Sequence, residues 1–401
     1  MPKTDPPSDE EAAFRINSDH AGMIGDAASE AAGESRLEDA IALCLSGGGY
    51  RAMVFHVGTL WRLNEAGVLA RLSRVSCVSG GSITGGVLGL AWAKLSGSAF
   101  SRDAFVEHVV MPLRRMASTD VDVESILVGA ILPGVTVGDM VAREYRKVLF
   151  GTKTLEDLPN SPRFIFNATN VQSGALVRFS KPYTWDWRVG KVPLPRTELA
   201  VAVGASSAFP PVLSPVTLKF KPGEFEPGSG AGLQREPFTT RMILTDGGVY
   251  DNLGLETAFK RCRTLLVSDA GGQMQAEEKP AENWASHSKR VLDLVDNQVR
   301  SLRKRQLLDA FQSKDAEHRR AGAFWSVRSD IANYQLADAF PAPFDRTQEL
   351  ARVPTRLDSM ADELQERLIN WGYAITDAAI RKHWDGTIAR PARLPYPSAG
   401  I

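Results

Sequence analysis

The chain has 401 residues with 47 basic and 47 acidic side chains, so its formal net charge is zero. A balanced charge excludes a strongly basic nucleic-acid binder and an acidic, solvating chain. Hydrophobic residues make up 43% of the sequence and charged residues 23%, as in ordinary globular proteins. We therefore expect a folded protein that does not bind nucleic acid, built as one large α/β domain or several smaller ones.

The amino-terminal residues 1–36 are predicted to be a disordered acidic tail, because positions 1–34 carry eight acids against two bases. They do not have the pattern of a secretory signal, and no stretch of the chain reaches ~18 uninterrupted apolar residues. The apolar segment 126–142 contains Pro133, three glycines and Asp139. We interpret it as a buried helix–loop–helix, with a segment that faces a membrane or caps a site as the alternative.

The cysteines give a hint of the compartment. Cys44, Cys77 and Cys262 are far apart and form no CxxC pair, so a zinc or redox motif is not indicated. Apolar neighbours around the first two are typical of buried, reduced thiols in a cytosolic protein. We predict a cytoplasmic protein without metal or cofactor, and we leave peripheral membrane contact open.

A strand–glycine loop–helix pattern occurs twice near the start of the folded region. The apolar run 40–45 ends at the glycine loop 46–49, which is followed by apolar residues at helical spacing. A second strand, 72–78, runs into Ser79-Gly80-Gly81 and a helix at 83–95. This repetition predicts an α/β fold with a mostly parallel sheet.

Later segments are predicted to extend this fold. The predicted strands are 163–169, 241–245 and 264–268, the predicted surface loop is 222–237, and the predicted helices are 290–311 and one after Pro354. In helix 290–311, a face with several arginines and lysines is expected to meet solvent, with anionic lipid as the alternative.

The first glycine loop, Gly47-Gly48-Gly49-Tyr-Arg51-Ala52, fits the pattern G-x-G-x-x-[GA] of dinucleotide-binding sites. Such a site also needs an acidic residue at the end of the next strand, and residues 76–79 contain none. The alternative is an anion site at a helix N-terminus, where converging amides stabilise the oxyanion of an acyl transfer and Arg51 adds positive charge. A tight turn without chemistry is the third interpretation.

The second glycine loop places Ser82 between a strand and a helix, where a nucleophile elbow belongs. Gly80 lies two residues before Ser82, but Thr84 occupies the position two residues after it, where a second glycine is expected. Ser79 is the competing nucleophile, and it lacks a glycine two residues before it. We predict that Ser82 is the nucleophile. The glycines predicted to support the elbow are Gly80, Gly81 and Gly85.

A carboxylate is a better candidate than a histidine for the base that activates this serine. None of the six histidines lies in a strand-end loop with glycine or aromatic support, and His56 is the one nearest the glycine loops. Asp246 ends an apolar strand and is followed by Gly247 and Gly248, so it is expected to project into a loop. A simple turn aspartate is the alternative, because Asp-Gly is a common turn dipeptide.

Three motifs together resemble the patatin-like phospholipase family. Gly47-Gly-Gly-x-Arg51, Gly80-x-Ser82 and Asp246-Gly-Gly248 resemble its glycine-rich oxyanion loop, its serine elbow and its Asp-Gly-[GA] motif, in the same order. The segments 167–170 and 205–211 are similar to further segments of that family. The resemblance covers roughly residues 41–270.

The resemblance implies a three-layer α/β fold related to the α/β-hydrolases, with a catalytic domain at 37–345 and a helical extension at 346–401. It implies a Ser82–Asp246 dyad without histidine that cleaves a lipid or ester substrate through an acyl-enzyme. The implied oxyanion hole consists of Gly47, Gly48, Gly49 and Arg51. The alternatives are a lipid-binding protein of this fold with little or no activity, and the dinucleotide-binding protein.

Overall fold

A mixed sheet lies at the centre of the part of the chain that the computed structural model describes, residues 37–120 and 137–401. Its ten strands are β1 (Glu38–Leu45), β2 (Leu72–Cys77), β3 (Arg163–Asn170), β4 (Ala175–Ser180), β5 (Tyr183–Asp186), β6 (Gly190–Pro193), β7 (Val216–Lys219), β8 (Arg241–Asp246), β9 (Cys262–Asp269) and β10 (Ala321–Ser326).

Helices cover both faces of this sheet. The α-helices are α1 (Gly49–Glu65), α2 (Gly80–Gly97), α3 (Arg102–Phe105), α4 (Met111–Ala117), α5 (Val137–Tyr145), α6 (Leu199–Ser206), α7 (Gly248–Asp251), α8 (Glu256–Phe259), α9 (Trp284–Gln312), α10 (Phe344–Arg352) and α11 (Asp362–His383). Short 3₁₀ turns lie at Leu69–Arg71, Leu155–Asp157 and Ile331–Tyr334, and π-helical turns at Val106–Val110 and Arg146–Phe150.

The sheet has a parallel half and an antiparallel half. Strands β10, β9, β1, β2 and β3 lie side by side in that order and all run parallel. Strands β4, β5 and β6 continue from β3 as an antiparallel meander, and β8 pairs antiparallel with both β3 and β7. The predicted α/β class with a central sheet between helices is confirmed, and the sheet is mixed.

Strand β1 separates two hydrophobic cores, because successive residues of a strand point to opposite faces of the sheet. Leu43 and Leu45 enter the larger core, together with residues of α1, α2 and α11. Ala42 and Cys44 enter a smaller core that includes residues of α8 and α9. A strand buried on both faces is typical of a parallel sheet, as the apolar run predicted.

Several elements have no clear signal in the sequence. Strands β5, β6 and β7 have four residues each, which is too short for an alternating pattern to stand out. The segment 222–237 lies between β7 and β8 outside regular structure, as predicted. Of the predicted helix–loop–helix at 126–142, residues 126–136 lie outside the described part of the chain, and α5 begins at Val137.

The C-terminal helix α11 packs directly against α1. A Cβ atom on Gly58 would lie 1.9 Å from the backbone of α11, and one on Gly372 would lie 2.1 Å from the backbone of α1. A buried ion pair between Arg62 and Asp377, 2.8 Å long, joins the same two helices. Part of the segment 346–401 therefore shares the main core, and its separation as a domain remains a prediction.

We predict that Gly58→Ala lowers the free energy of unfolding by about 2 kcal/mol or more, because the new methyl group would meet the Ile369 carbonyl at 1.9 Å. Urea unfolding followed by circular dichroism measures the change. Gly97→Ala is the matched control, since a Cβ atom there meets nothing within 4 Å. Equal stability of wild type and Gly58→Ala would contradict the close approach of the two helices.

Candidate active site

The edge of β3 brings the ends of two strands together. Strand β2 runs parallel to β3 and its last residue, Cys77, pairs with Phe166. Strand β8 runs antiparallel to β3 and its last residue, Asp246, pairs with Ala168. Positions 166 and 168 are two residues apart, roughly 7 Å along the strand. The two strands therefore end facing each other, and the turn after β2 lies beside Asp246.

The turn after β2 is centred on Ser79. This residue has φ 50° and ψ −121°, a conformation that side-chain-bearing residues rarely adopt. Strand β2 ends two residues earlier and helix α2 begins one residue later, so the chain reverses sharply at Ser79. A strained serine between a strand and a helix is the geometry of a nucleophile elbow. The Ser79 side chain is partly exposed.

Ser82 occupies a different position from the one predicted for it. Its side chain is fully buried in the first turn of α2, and its Oγ lies 2.8 Å from Ser206 Oγ. Ser206 donates its single hydroxyl proton to the Asn167 carbonyl, at 2.6 Å, so Ser82 must be the donor in the bond between the two serines. This geometry does not support the predicted role of Ser82 as the nucleophile: Ser79 is the serine at the turn and near Asp246.

Ser79 has no glycine two residues before it, and a glycine on the opposite side of the turn makes room for the residue found there. Cys77 lies two residues before Ser79, where an elbow needs a small residue. A Cβ atom on Gly85 of α2 would lie only 2.3 Å from Cys77 Sγ, so this glycine leaves the space that the thiol fills. Thr84 lies outside the elbow and donates to the Met53 carbonyl at 3.1 Å.

Asp246 is buried beside the elbow, and only one of its two carboxylate oxygens accepts a hydrogen bond. Its Oδ1 accepts the N–H of Gly248 at 2.6 Å, while its Oδ2 has no hydrogen-bond partner at ordinary distance among the described residues. Burial raises the pKa of Asp246 to about 7, although the Gly248 N–H and the nearby Ser79 hydroxyl act in the opposite direction. The backbone of a neighbouring strand leaves room only for glycine at Gly247, since a Cβ atom there would lie 2.2 Å from the Asn167 carbonyl.

The two glycine loops lie against each other at this edge. A Cβ atom on Gly80 would lie 2.2 Å from the Gly49 carbonyl, and one on Gly81 would lie 2.3 Å from the Leu45 carbonyl. Gly48 and Gly49 have φ values of 139° and 59°, which favour glycine. The two glycine loops are therefore neighbours, and the assignment of their glycines to one site stays a prediction.

Only part of the first loop has amides available for an anion. The N–H of Gly47 donates to the Asn252 carbonyl at 3.1 Å, and the N–H of Tyr50 donates to the Arg356 carbonyl at 3.0 Å. Gly48 and Gly49 lie between these two anchored residues at the start of α1, where amides have no acceptor within the helix. The geometry thus does not support Gly47 as an oxyanion donor, whereas Gly48 and Gly49 remain candidates.

Arg51 does not point into the site as predicted. Its guanidinium donates to three backbone carbonyls: those of Ala270, Ala351 and Val353, at 2.7–2.8 Å. The side chain is only 2% exposed, and burial lowers its pKa to about 9. Arg51 therefore ties the start of α1 to the residue after β9 and to the C-terminal end of α10, and this geometry does not support its predicted place in the oxyanion hole.

His56 is also a structural residue. Its Nε2 lies 3.0 Å from the Ser46 carbonyl and its Nδ1 lies 3.0 Å from Ser268 Oγ, so the ring is held between β1 and β9. Since a carbonyl oxygen only accepts, Nε2 carries the proton. Burial lowers the pKa of His56 to about 4, which keeps the ring neutral.

Residues that the motifs did not assign hold the elbow in place. Ser206 Oγ accepts the Ser79 N–H at 3.0 Å and also contacts Ser82, so it fixes both ends of the turn. Asn167 Nδ2 donates to the Cys77 carbonyl at 2.9 Å. The segments 167–170 and 205–211 were noticed in the sequence for their resemblance alone, and these bonds give them a role.

No group of three or more histidine, cysteine or acidic side chains that could hold a metal ion occurs in residues 37–120 and 137–401. A search of the same residues for a helix long and apolar enough to cross a membrane found none.

A family model of patatin-like phospholipases matches residues 43–259, which is more than half of the chain. The chain therefore belongs to the patatin-like phospholipase family. The match contains the glycine loops, the elbow and the Asp246 turn. A comparison with curated protein sequences gave no match.

Solved structures similar to this chain include human GIVD cytosolic phospholipase A2, with 15% identity and a TM-score of 0.49. The same human enzyme in complex with methyl gamma-linolenyl fluorophosphonate has 16% identity and a TM-score of 0.47. Each alignment covers 93% of this chain, which spans 63–66% of the human chains. VipD from Legionella pneumophila, with 15% identity and a TM-score of 0.33, aligns over 84% of this chain and 66% of its own.

The raised pKa of Asp246 predicts a pH-dependent cost to stability. The folded protein holds this proton up to about pH 7, whereas the unfolded chain releases it near the ordinary value of 3.8. The stabilisation that the protonated Asp246 contributes is fully present below pH 3.8. It is lost progressively as the pH rises from there through 7. Asp246→Asn should therefore gain stability relative to wild type by about 2–3 kcal/mol between about pH 5 and pH 8.5.

Urea unfolding of both proteins at the two pH values measures this difference. The comparison cancels the other titrating groups, which the two proteins share. A stability difference that stays constant, or that moves in the opposite direction with pH, would show that the pKa of Asp246 is not raised in the folded protein.

Proposed function

We propose that the protein is a lipid acyl hydrolase in which Ser79 is the nucleophile and Asp246 is the base. The observation that carries the proposal is the strained backbone of Ser79, φ 50° and ψ −121°, at a strand–helix turn beside a buried carboxylate. Strained residues of this kind persist where the surrounding structure imposes them, and they concentrate at active sites. Membership of the patatin-like phospholipase family supports a lipid ester as substrate.

In the proposed reaction, Ser79 Oγ attacks the ester carbonyl while its proton passes to Asp246. The free Oδ2 of Asp246 is the acceptor, because Oδ1 is already bonded to the Gly248 N–H. A pKa of about 7 makes this carboxylate a much better base at neutral pH than an exposed aspartate. The protonated Asp246 then supplies the proton to the leaving alcohol.

The second half of the reaction reverses these roles. Water attacks the acyl-enzyme, Asp246 accepts its proton, and the acyl group leaves as a fatty acid while Ser79 regains its hydrogen. No histidine is needed for either half. His56 is held in bonds to Ser46 and Ser268, and its lowered pKa of about 4 leaves it without a role in proton transfer.

The proposed oxyanion hole combines amides of both glycine loops. The N–H of the residue after the nucleophile is an oxyanion donor in elbow-type hydrolases, and here that residue is Gly80. Gly48 and Gly49 belong to the neighbouring loop, and the Gly49 carbonyl approaches Gly80 closely. Because the loop is anchored at Gly47 and Tyr50, its amides do not need to reorganise when charge develops.

A fluorophosphonate probe tests the choice of nucleophile. We expect wild type and Ser82→Ala to be labelled, because the Ser82 hydroxyl is buried in a bond to Ser206. Ser79→Ala should lose labelling completely. Asp246→Asn should be labelled roughly 100-fold more slowly or less, since it lacks the base.

Ser82→Ala is the matched control, because it removes a hydroxyl three residues away from the same turn. Loss of labelling in Ser82→Ala together with retention in Ser79→Ala would reject the assignment. No labelling of wild type, in a folded protein that binds lipid, would favour a lipid-binding protein of this fold without activity.

The pH dependence of turnover provides a separate test of Asp246. As the base must be ionised, kcat/KM for a water-soluble ester should rise with pH and level off above about 7. Initial rates across this range measure it. A profile that levels off near pH 4 would show that the carboxylate is not raised in pKa and would argue against its burial beside Ser79.

A further inference from the structure

The side chain of Asn252 lies between the glycine motifs of the candidate site. A Cβ atom on Gly47 would lie 2.3 Å from Asn252 Oδ1, and one on Gly248 would lie 2.8 Å from it. Asn252 follows α7 and is four residues after Gly248, a spacing that places two residues on one face of a helical turn. Glycine at positions 47 and 248 therefore leaves the space that the carboxamide oxygen fills.

The same oxygen lies near both groups of the proposed reaction. The Cβ position of Gly47, next to Asn252 Oδ1, is also 3.0 Å from Ser79 Cβ. The Cβ position of Gly248 is 2.8 Å from Asn252 Oδ1 and 3.0 Å from Asp246 Oδ1, so these two oxygens are no farther apart than the sum of the two distances. Asn252 Nδ2 is turned to the other side, towards Gly271. The atom of this carboxamide that faces the site is thus an acceptor.

The carboxamide of Asn252 does not hold the fold together. It makes no hydrogen bond with the described part of the chain, and the side chain is partly exposed, so water reaches it. The backbone provides the anchor instead, since the Asn252 carbonyl accepts the Gly47 N–H at 3.1 Å. The neighbouring Asp251 accepts the N–H groups of Leu253 and Glu256 at 3.1 and 2.7 Å, which fixes the chain around Asn252. A fixed side chain therefore presents a free polar group beside Ser79.

Hydrolysis of the acyl-enzyme needs a second acceptor near Asp246. The attacking water has two protons, and Asp246 Oδ2 accepts one of them in the proposed reaction. Asp246 Oδ1 already accepts the Gly248 N–H at 2.6 Å, so the second proton needs another oxygen. An O–H···O bond is roughly 2.7–2.8 Å long, and at this spacing one water molecule reaches both Asn252 Oδ1 and the Asp246 carboxylate. Two acceptors together fix the direction of the water's lone pairs.

We propose that Asn252 orients the water that hydrolyses the acyl-enzyme, an inference that rests on the proposed function. The water oxygen forms a bond to the acyl carbon while one proton passes to Asp246 Oδ2. The bond from that carbon to Ser79 Oγ then breaks, and Asp246 returns the proton to Ser79 Oγ. The second proton stays on the hydroxyl of the released fatty acid, which donates to Asn252 Oδ1 until the acid leaves.

Asn252→Leu tests this role, because leucine has the same shape and size but no acceptor. With a water-soluble p-nitrophenyl ester, we expect a burst of nitrophenol equal to the enzyme, followed by a steady-state kcat about 10- to 100-fold below wild type. Mass spectrometry during turnover should show an acyl group on Ser79. Fluorophosphonate labelling uses no water, so its rate should stay within about threefold of wild type.

Two further variants control for structure and for chemistry. Asn160→Leu is the matched control, because Asn160 is exposed and precedes β3, at the end of the parallel strands opposite to the candidate site. Its kcat and labelling rate should equal those of wild type. Asn252→Asp keeps an oxygen and loses the NH2 group. Well above the pKa of Asp246, its kcat should stay within about fivefold of wild type. Urea unfolding checks that each variant is folded.

Three results would overturn the role of Asn252 alone, in a wild type that is labelled at Ser79. The first is an unchanged kcat in Asn252→Leu. The second is a labelling rate that falls as much as kcat, which would place Asn252 in the attack by Ser79. The third is a folded Asn252→Asp that is as slow as Asn252→Leu, which would assign the role to the NH2 group. A wild type that is neither labelled nor active on esters would reject the proposed function, and this inference with it.

Discussion

The candidate site depends on one constraint of sheet register: β2 and β8 approach the same edge of β3 from opposite directions and end two positions apart. Their last residues, Cys77 and Asp246, pair with Phe166 and Ala168. Because β8 lies directly ahead of β2, the chain must turn away at once, and Ser79 takes the strained conformation of that turn. The same arrangement buries Asp246 at the point where the serine emerges.

This geometry has costs that the rest of the fold offsets. The backbone of Ser79 is strained by about 1–3 kcal/mol, and ionising Asp246 in its buried position is unfavourable. The bonds of Ser206 to Ser79 and of Arg51 to three carbonyls compensate, because they fix the turn and the neighbouring glycine loop in one arrangement. A preorganised site therefore costs stability locally and depends on anchors from distant parts of the chain.

The sequence predicted the α/β class, the two glycine loops and Asp246 as a candidate base, since each has a local pattern. It favoured Ser82 over Ser79, because Ser82 has a glycine two residues before it, whereas at Ser79 the corresponding space is provided by Gly85, across the turn from Cys77. The role of Arg51 also could not be predicted from the sequence. Its acceptors at 351 and 353 are backbone carbonyls about three hundred residues away in sequence. Since every residue has a backbone carbonyl, the residue type does not identify such an acceptor.

Helix α9 shows a different limit of sequence patterns. Periodicity predicts the helix correctly, but an apolar stripe is ordinarily assigned to the core, and here part of it faces outward. On the inward side, Arg303 pairs with Glu256 and Arg300 lies over the loop after β9, while Leu307 and Ala310 are buried in the smaller core. The helix therefore has a C-terminal part whose apolar residues join the core and a longer part whose apolar residues face outward, and helical spacing alone does not separate the two.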